Sequence, residues 1–180
     1  MYPWLAYEYL GVEAGSSQIC DLEKFISLTE EDAFAPSLKI ELAGRTQEVE
    51  DLLQILAANR AVCLTGKSGS GKTRLAIEAC LQYSTTEKAE VLVIRPSRKP
   101  IYETLERCCS LDTRYLLLLD DANDLADLEL VREYASLHGN VKILATTRNY
   151  TKQQVVKELH HIRRFKEYDV SPIANEAIES

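Results

Sequence analysis

The stretch Gly66-Lys67-Ser68-Gly69-Ser70-Gly71-Lys72-Thr73 has the spacing G-x-x-x-x-G-K-[ST] of a phosphate-binding loop. It follows an apolar run at 61–65 and precedes a helix-like stretch at 73–83, the strand–loop–helix setting that the motif requires. Glycines in such a loop let backbone amides turn toward phosphate oxygens, and the following helix N-terminus adds partial positive charge. A simple Gly-Ser turn before a helix is the alternative. The surrounding pattern favours a site for a nucleoside triphosphate.

Individual residues of this loop have predicted roles. We expect the ammonium group of Lys72 to reach the outer phosphates and the hydroxyl of Thr73 to ligate Mg²⁺. Arg74, which follows the loop, is also expected at the nucleotide. The remaining expected contacts are Gly66, Lys67, Ser68, Gly69, Ser70 and Gly71.

The composition predicts a soluble protein. At 180 residues the chain suits one domain, and 46% apolar with 27% charged residues is ordinary for a globular protein. The net charge of −7 disfavours a chain-wide surface for nucleic acid or membrane. The longest strongly apolar stretch, 116–119, is far too short to span a bilayer. The five cysteines include no C-x-x-C pair, which indicates reduced thiols in the cytoplasm rather than a zinc site or a disulfide framework.

Strand-like and helix-like stretches alternate from residue 47 onward. The strands are continuous apolar runs, which indicates burial on both faces, and their alternation with helices predicts a parallel sheet. We therefore expect an α/β fold, the three-layer sandwich of P-loop NTPases, with about five parallel strands and helices on both faces. Predicted helices cover 47–59, 73–83, 101–110, 124–138 and 151–159, and predicted strands cover 61–65, 90–95, 114–119, 141–146 and 162–170.

The third predicted strand ends in two acids, Asp120 and Asp121. Ligands of such sheets bind beyond the carboxyl ends of the strands, so both acids are candidates for the chemistry. We expect Asp120 to hold Mg²⁺ together with Thr73, and Asp121 to orient or deprotonate an attacking water. The alternative is that these acids cap the helix that begins near Asp124. Aspartate is shorter than the glutamate of fast ATPases, which predicts slow ATP hydrolysis.

The fourth predicted strand ends in Thr146-Thr147-Arg148. A hydroxyl or guanidinium group there would face the outer phosphate, and arginine suits that role through its fixed fork of donors. From 142 to 167 the chain carries seven basic residues and only two acids. That stretch is either a partner or nucleic-acid surface or, as is usual for such runs, a solvated face.

Together these motifs resemble the STAND class of signalling NTPases, which includes the NB-ARC and NACHT proteins and is related to AAA+ ATPases. The resemblance covers roughly 43–175. It is carried by Gly44-Arg45-Thr46-x-Glu48, the phosphate-binding loop, the leucine run before Asp120-Asp121, and Ile-Leu-Ala before Thr146-Thr147-Arg148.

The resemblance implies roles for the residues that match. Gly44 and Arg45 would lie against the adenine side, and Arg148 would sense the outer phosphate. Members of this class act mainly as switches, in which ADP holds a closed form and ATP permits oligomerisation. The implied ligands are ATP or ADP with Mg²⁺, and the implied partners are proteins or further copies of the full-length chain.

The expected domain organisation follows from the same motifs. Residues 1–43 would be an N-terminal arm or the remnant of an upstream module, and 44–172 the P-loop NTPase domain. Residues 173–180 would begin a truncated helical region, because STAND proteins continue into a helical bundle and a winged helix. We therefore expect this chain to be part of a longer protein.

Other functions fit parts of the sequence. A small-molecule kinase would need an acceptor-binding acid after the second strand, where the chain has Arg95-Pro96. An AAA+-like ATPase acting on nucleic acid is supported only by the basic stretch. A non-catalytic interaction module that keeps nucleotide as a structural ligand is a third possibility. A GTPase is disfavoured, because no Asn/Thr-Lys-x-Asp motif follows the fourth strand.

Overall fold

A computed structural model describes residues 18–31, 44–95 and 101–170. The predicted truncated helical region at 173–180 and most of the predicted N-terminal arm lie outside these ranges. The elements, in chain order, are β1 (Ile19–Asp21), α1 (Leu22–Glu31), α2 (Thr46–Ala58), β2 (Ala61–Thr65), α3 (Lys72–Glu87), β3 (Glu90–Ile94), α4 (Tyr102–Cys108), β4 (Tyr115–Leu119), a 3-10 turn (Ala122–Asp124), α5 (Leu128–Leu137), β5 (Val141–Thr146), α6 (Lys152–Leu159) and β6 (Phe165–Asp169).

The described strands form one six-stranded sheet in the order β1-β3-β4-β5-β2-β6. All neighbouring pairs are parallel except β1 and β3, which are antiparallel. The predicted parallel α/β sheet is therefore confirmed, with one strand more than expected. Because the five parallel strands run the same way, the residues that follow β2, β4 and β5 meet at one edge, the carboxyl edge of the sheet.

The sheet separates two apolar cores, and β4 contributes to both. Leu117 and Leu119 pack on the side of α4, α5 and α6, whereas Leu116 and Leu118 pack on the side of α1, α2 and α3. All four leucines are fully buried, and burial of each stabilises the fold by about 2 kcal/mol. The continuous apolar run at 116–119 is thus explained by burial on both faces of a central strand.

The sixth strand comes from the predicted N-terminal arm. Ile19 pairs with Ile94, and Asp21 pairs with Leu92, so β1 covers the outer edge of β3. The carboxylate of Asp21 then accepts a hydrogen bond of 2.7 Å from the backbone N–H of Lys24, which caps α1. A strand of three residues is too short to show a periodic pattern, which is why the sequence did not predict it.

The predicted helix at 124–138 is two elements. The chain leaves β4 through Asp121, which has left-handed backbone angles (φ 46°, ψ 56°), and makes the 3-10 turn before α5 begins at Leu128. The prediction of one continuous helix was wrong, because Leu125 has extended backbone angles (φ −82°, ψ 113°) and separates the 3-10 turn from α5. In the described part of the chain, none of the helices has the length and apolar character needed to cross a bilayer.

Candidate nucleotide-binding site

The predicted phosphate-binding loop connects β2 to α3 at the carboxyl edge, and two of its glycines are required by geometry. A Cβ atom at Gly66 would lie 2.8 Å from the carbonyl oxygen of Val170 and 2.9 Å from Oγ of Ser70, closer than atoms can approach. Gly71 precedes α3 with φ 82°, a conformation that L side chains rarely adopt. Any larger residue at these two positions would displace the loop.

The ammonium group of Lys72 lies across the loop. It donates hydrogen bonds to the carbonyl oxygens of Gly66, at 3.2 Å, and Lys67, at 2.8 Å. Burial lowers the pKa of Lys72, and the nearby carboxylate of Asp121 raises it in part. A cation enclosed in this way is a strong donor for an anionic ligand.

Ser70 contributes a buried polar atom to the loop. Its side chain is 3% exposed, and Oγ has no hydrogen-bond partner among the described residues. A buried hydroxyl without a partner costs about 1–3 kcal/mol, so such groups are nearly always paired. A phosphate oxygen would supply the missing partner. The other expected contacts in the loop, Lys67, Ser68 and Gly69, are exposed.

Asp120 is joined to the loop by a short hydrogen bond. Its Oδ1 accepts from the hydroxyl of Thr73 at 2.9 Å and from the hydroxyl of Thr146 at 2.8 Å. Burial raises the pKa of Asp120, and these two hydroxyl donors lower it in part. No group of three or more His, Cys, Asp or Glu residues that could hold a metal occurs in the described ranges. A hydroxyl and one carboxylate suit Mg²⁺, which takes few protein ligands and completes its shell with water and phosphates.

Asp121 and Arg148 form an ion pair. Nη2 of Arg148 donates to Oδ2 of Asp121 at 3.1 Å, with the two side chains 39% and 36% exposed. Arg148 also donates from Nη1 to the hydroxyl of Tyr150 at 3.0 Å. The predicted catalytic acid and the predicted phosphate sensor are therefore in contact with each other, which the sequence did not indicate.

The two threonines before Arg148 are fully buried. Thr146 bonds Asp120, and its Oγ1 also accepts from the backbone N–H of Asp121 at 2.8 Å. Thr147 donates to Oδ1 of Asn123 at 3.2 Å. Within Thr146-Thr147-Arg148, only the arginine is accessible to an external phosphate. The geometry therefore favours the guanidinium group over a hydroxyl as the group predicted to face the outer phosphate.

A sequence profile of the family described as Novel STAND NTPase 3 matches residues 45–176. The chain belongs to the STAND NTPases. The matched range includes the phosphate-binding loop, both acids and Arg148, so this chain is a nucleotide-binding NTPase domain. No protein of curated function matches the sequence significantly.

Solved structures with a similar fold are distant in sequence. The Hsp104–ADP complex of S. cerevisiae has a TM-score of 0.57 and 16% identity, over 87% of this chain and 30% of that one. A chain of the E. coli MS115-1 HORMA:CdnC:Trip13 complex has a TM-score of 0.50 and 14% identity, over 76% of this chain and 65% of that one. The Walker-type ATPase of Pyrococcus abyssi has a TM-score of 0.50 and 14% identity, over 76% and 56%. This STAND NTPase domain thus spans less than two thirds of each, and the likeness shows the P-loop ATPase fold alone.

Arg45 of the STAND NTPase domain packs against the loop. Its side chain is 5% exposed and pairs with Glu48 at 3.3 Å, and Nη1 would lie 3.5 Å from a Cβ at Gly71. Gly44 is exposed beside it, with φ 79°. The adenine contacts implied for both residues stay predictions. Arg74, also expected at the nucleotide, is half-buried in the first turn of α3.

The basic stretch at 142–167 is partly used inside the domain. Lys142 donates to the carbonyl oxygens of Leu56 and Ala57 at the end of α2. Lys152 donates to Glu167 at 2.9 Å, beside β2 and β6. These two lysines have structural partners, and the stretch is accordingly a weaker candidate for a nucleic-acid surface than its charge count indicates.

Proposed function

We propose that this STAND NTPase domain binds ATP and ADP with Mg²⁺, hydrolyses ATP slowly and acts as a nucleotide-dependent switch. The observation that carries the proposal is the 3.1 Å ion pair between Arg148 and Asp121. Both charges act on the ammonium group of Lys72, so the pair lies near the phosphate-binding loop. The predicted sensor and the predicted catalytic acid can therefore respond to the same outer phosphate.

The loop supplies the donors for the phosphates. Among the described residues, the hydrogen-bond partners of the Lys72 ammonium group are backbone carbonyl oxygens. An anionic phosphate oxygen would accept a stronger hydrogen bond from it. The orphaned hydroxyl of Ser70 and the glycines at 66 and 71 support a ligand that comes close to the backbone. Thr73 and Asp120 fit Mg²⁺, which when bound would neutralise charge on the outer phosphates.

Hydrolysis would use Asp121 as the acceptor of a proton. Attack of a water oxygen on the γ-phosphorus forms one P–O bond and breaks the bond to the β–γ bridging oxygen, giving ADP and phosphate. Asp121 takes the proton from the water. The side chain of Asp121 is one methylene shorter than that of a glutamate, so it reaches less far toward the water, which supports slow turnover.

The switch would work through the choice of partner for Arg148. An anionic γ-phosphate can accept two hydrogen bonds from the guanidinium group of Arg148, and ADP has no γ-phosphate. ATP would draw Arg148 from Asp121, whereas ADP would leave the ion pair in place. In a longer chain, this change would be passed to attached domains, to protein partners or to further copies. A nucleic-acid function is not proposed, because part of the basic stretch is used internally.

The first experiment identifies the nucleotide. The purified protein is denatured and the released nucleotide is separated by chromatography, with Lys72→Ala as the comparison. We expect ADP or ATP from the parent and much less from the variant. A released guanine nucleotide would overturn the assignment of the base.

The second experiment tests hydrolysis. Single-turnover rates are measured for the parent, Asp121→Ala and Asp121→Glu. We expect Asp121→Ala to slow the reaction by about 100-fold, the usual scale for loss of a general base. Equal rates in all three proteins would remove Asp121 from the mechanism. Tight binding without turnover in the parent would favour the non-catalytic interaction module.

A further inference from the structure

One buried hydroxyl connects the two acids of the site. Thr146 is the last residue of β5 and is fully buried. Its Oγ1 donates to Oδ1 of Asp120 at 2.8 Å and accepts from the backbone N–H of Asp121 at 2.8 Å. A single side chain on a neighbouring strand therefore touches the side chain of one acid and the backbone of the other.

These bonds leave Thr146 little capacity for a ligand. A hydroxyl group has one hydrogen to donate, and that hydrogen is engaged by Asp120. Because the side chain is also fully buried, an outer phosphate would have to displace Asp120 to receive this hydrogen. The role of Thr146 is thus directed at the acids and not at the nucleotide.

The bond to the backbone of Asp121 acts at a strained position. Left-handed angles at a residue other than glycine cost about 1–2 kcal/mol, and they persist only when neighbouring contacts hold them. Asp121 has these angles, and its N–H is fixed by Thr146 while its carboxylate pairs with Arg148 at 3.1 Å. The conformation that turns the Asp121 carboxylate toward Arg148 is therefore held from the backbone by Thr146.

We propose that Thr146 is a positioning residue whose hydroxyl fixes the metal-binding carboxylate of Asp120 relative to the carboxylate of Asp121. The bridge itself is a structural property of the chain. Its effect on hydrolysis rests on the proposed function. The two parts are tested by separate measurements.

Three variants separate the hydroxyl from the shape of the side chain. Thr146→Val keeps the volume and loses the hydroxyl, whereas Thr146→Ser keeps the hydroxyl. Thr147→Val is the matched control, because Thr147 directly follows the same strand, is equally buried, and bonds Asn123 and Thr151 instead of the acids. Thermal midpoints of all three show whether each variant is folded.

The first measurement is amide hydrogen exchange by NMR, which needs no nucleotide. We expect the N–H of Asp121 to exchange about tenfold faster in Thr146→Val, as for the loss of one hydrogen bond, and at the parent rate in Thr147→Val and Thr146→Ser. Equal exchange of this amide in Thr146→Val and the parent would overturn the bridge.

The second measurement combines ADP affinity without Mg²⁺, the gain in ATP affinity caused by Mg²⁺, and the single-turnover rate. In Thr146→Val we expect ADP affinity within about twofold of the parent, with both the Mg²⁺ effect and the rate reduced about tenfold. Thr146→Ser should restore both. The positioning role would be contradicted if Thr146→Val kept the single-turnover rate and the Mg²⁺ effect of the parent. It would also be contradicted if Thr147→Val lost both to the same extent. A parent that binds Mg·ATP without hydrolysis would refute the enzymatic part of the proposed function, while the Mg²⁺ effect would still decide the role of Thr146.

Discussion

Lys72 and Lys142 have the same chemistry at opposite ends of the sheet. Each ammonium group donates to two backbone carbonyl oxygens, and burial lowers the pKa of each. The acceptors of Lys142 are the carbonyls at the end of α2, which need a donor because no further helical turn follows. The acceptors of Lys72 belong to a loop that carries an orphaned hydroxyl. A buried lysine is thus structural where its acceptors are fixed by a helix end, and available to a ligand where they belong to an anion-binding loop.

The arginines at the two edges differ in the same way. Arg60, at the amino edge, donates to the carbonyl oxygens of Ala135, His138 and Val141. Arg148, at the carboxyl edge, instead donates to side-chain oxygens, those of Asp121 and Tyr150. Arg148 could exchange its side-chain partners for a phosphate without changing the backbone. Arg60 could not leave its three carbonyl partners without depriving the backbone between α5 and β5 of its donor.

The largest expected effect separates the two lysines. Lys72→Ala should weaken nucleotide affinity about a thousandfold, or about 4 kcal/mol, because it removes the charged donor from the loop. Isothermal titration calorimetry with Mg·ATP measures this. Lys142→Ala is the control, and should lower the thermal midpoint while nucleotide affinity stays within about threefold of the parent. A comparable loss of nucleotide affinity in Lys72→Ala and Lys142→Ala would show that the two lysines do not differ in their role at the carboxyl and amino edges of the sheet.

The next effect concerns stability at the amino edge. Arg60→Ala should lower the free energy of unfolding by about 3 kcal/mol, because it leaves three carbonyl groups without their charged donor. Urea denaturation monitored by circular dichroism gives this value. The folded fraction should bind nucleotide with unchanged affinity. A change below about 0.5 kcal/mol, the scale of a surface substitution, would show that Arg60 is dispensable.

Arg148→Ala should have a smaller effect, on ligand preference. We expect the ratio of ATP affinity to ADP affinity to fall about tenfold, because only ATP offers the γ-phosphate that this guanidinium would meet. Competition binding with both nucleotides measures the ratio. Stability should change little, since exposed ion pairs contribute about 0–1 kcal/mol. An unchanged ratio would exclude Arg148 as the sensor and leave its pairing with Asp121 without a switching role.

The smallest expected effect is a pH-dependent gain in stability. Burial raises the pKa of Asp120, so the folded protein holds the proton of this group more tightly than the unfolded chain does. Ionisation of Asp120 therefore costs stability at pH values above its folded pKa, and this cost disappears as the pH falls below the unfolded pKa. Asp120→Asn should raise the thermal midpoint by about 2–4 °C at pH 7, the shift given by about 1 kcal/mol. Thermal melts from pH 7 downward should show this gain becoming smaller as the pH falls through the raised pKa of Asp120 toward the pKa of the unfolded chain. In a separate binding measurement, Mg²⁺ should no longer tighten ATP binding to the variant. A gain that does not change with pH would point to a cause other than the charge of Asp120.

Much of the fold could be predicted from local patterns. The strands at 61–65 and 141–146 were predicted with the bounds that the structure gives. Cys63 and Cys80, which stand in apolar surroundings in the sequence, are fully buried. Continuous apolar runs and helical periodicity are local consequences of burial on two faces or on one. The helix predicted at 124–138 was wrong as one continuous element, because the extended backbone at Leu125 separates the 3-10 turn from α5 and the local residue pattern did not indicate this break.

By itself, the sequence determined which groups could bind a polyphosphate and which edge of the sheet would carry them. Motif spacing and strand direction are enough for that, because both are set by residues close together in the chain. Tertiary structure alone decided which groups bond one another: Arg148 with Asp121, Thr146 with both acids, and Lys142 with the end of α2. Those contacts join residues from 25 to 86 positions apart, and their partners are fixed by the order and register of the strands, which the sequence pattern does not specify.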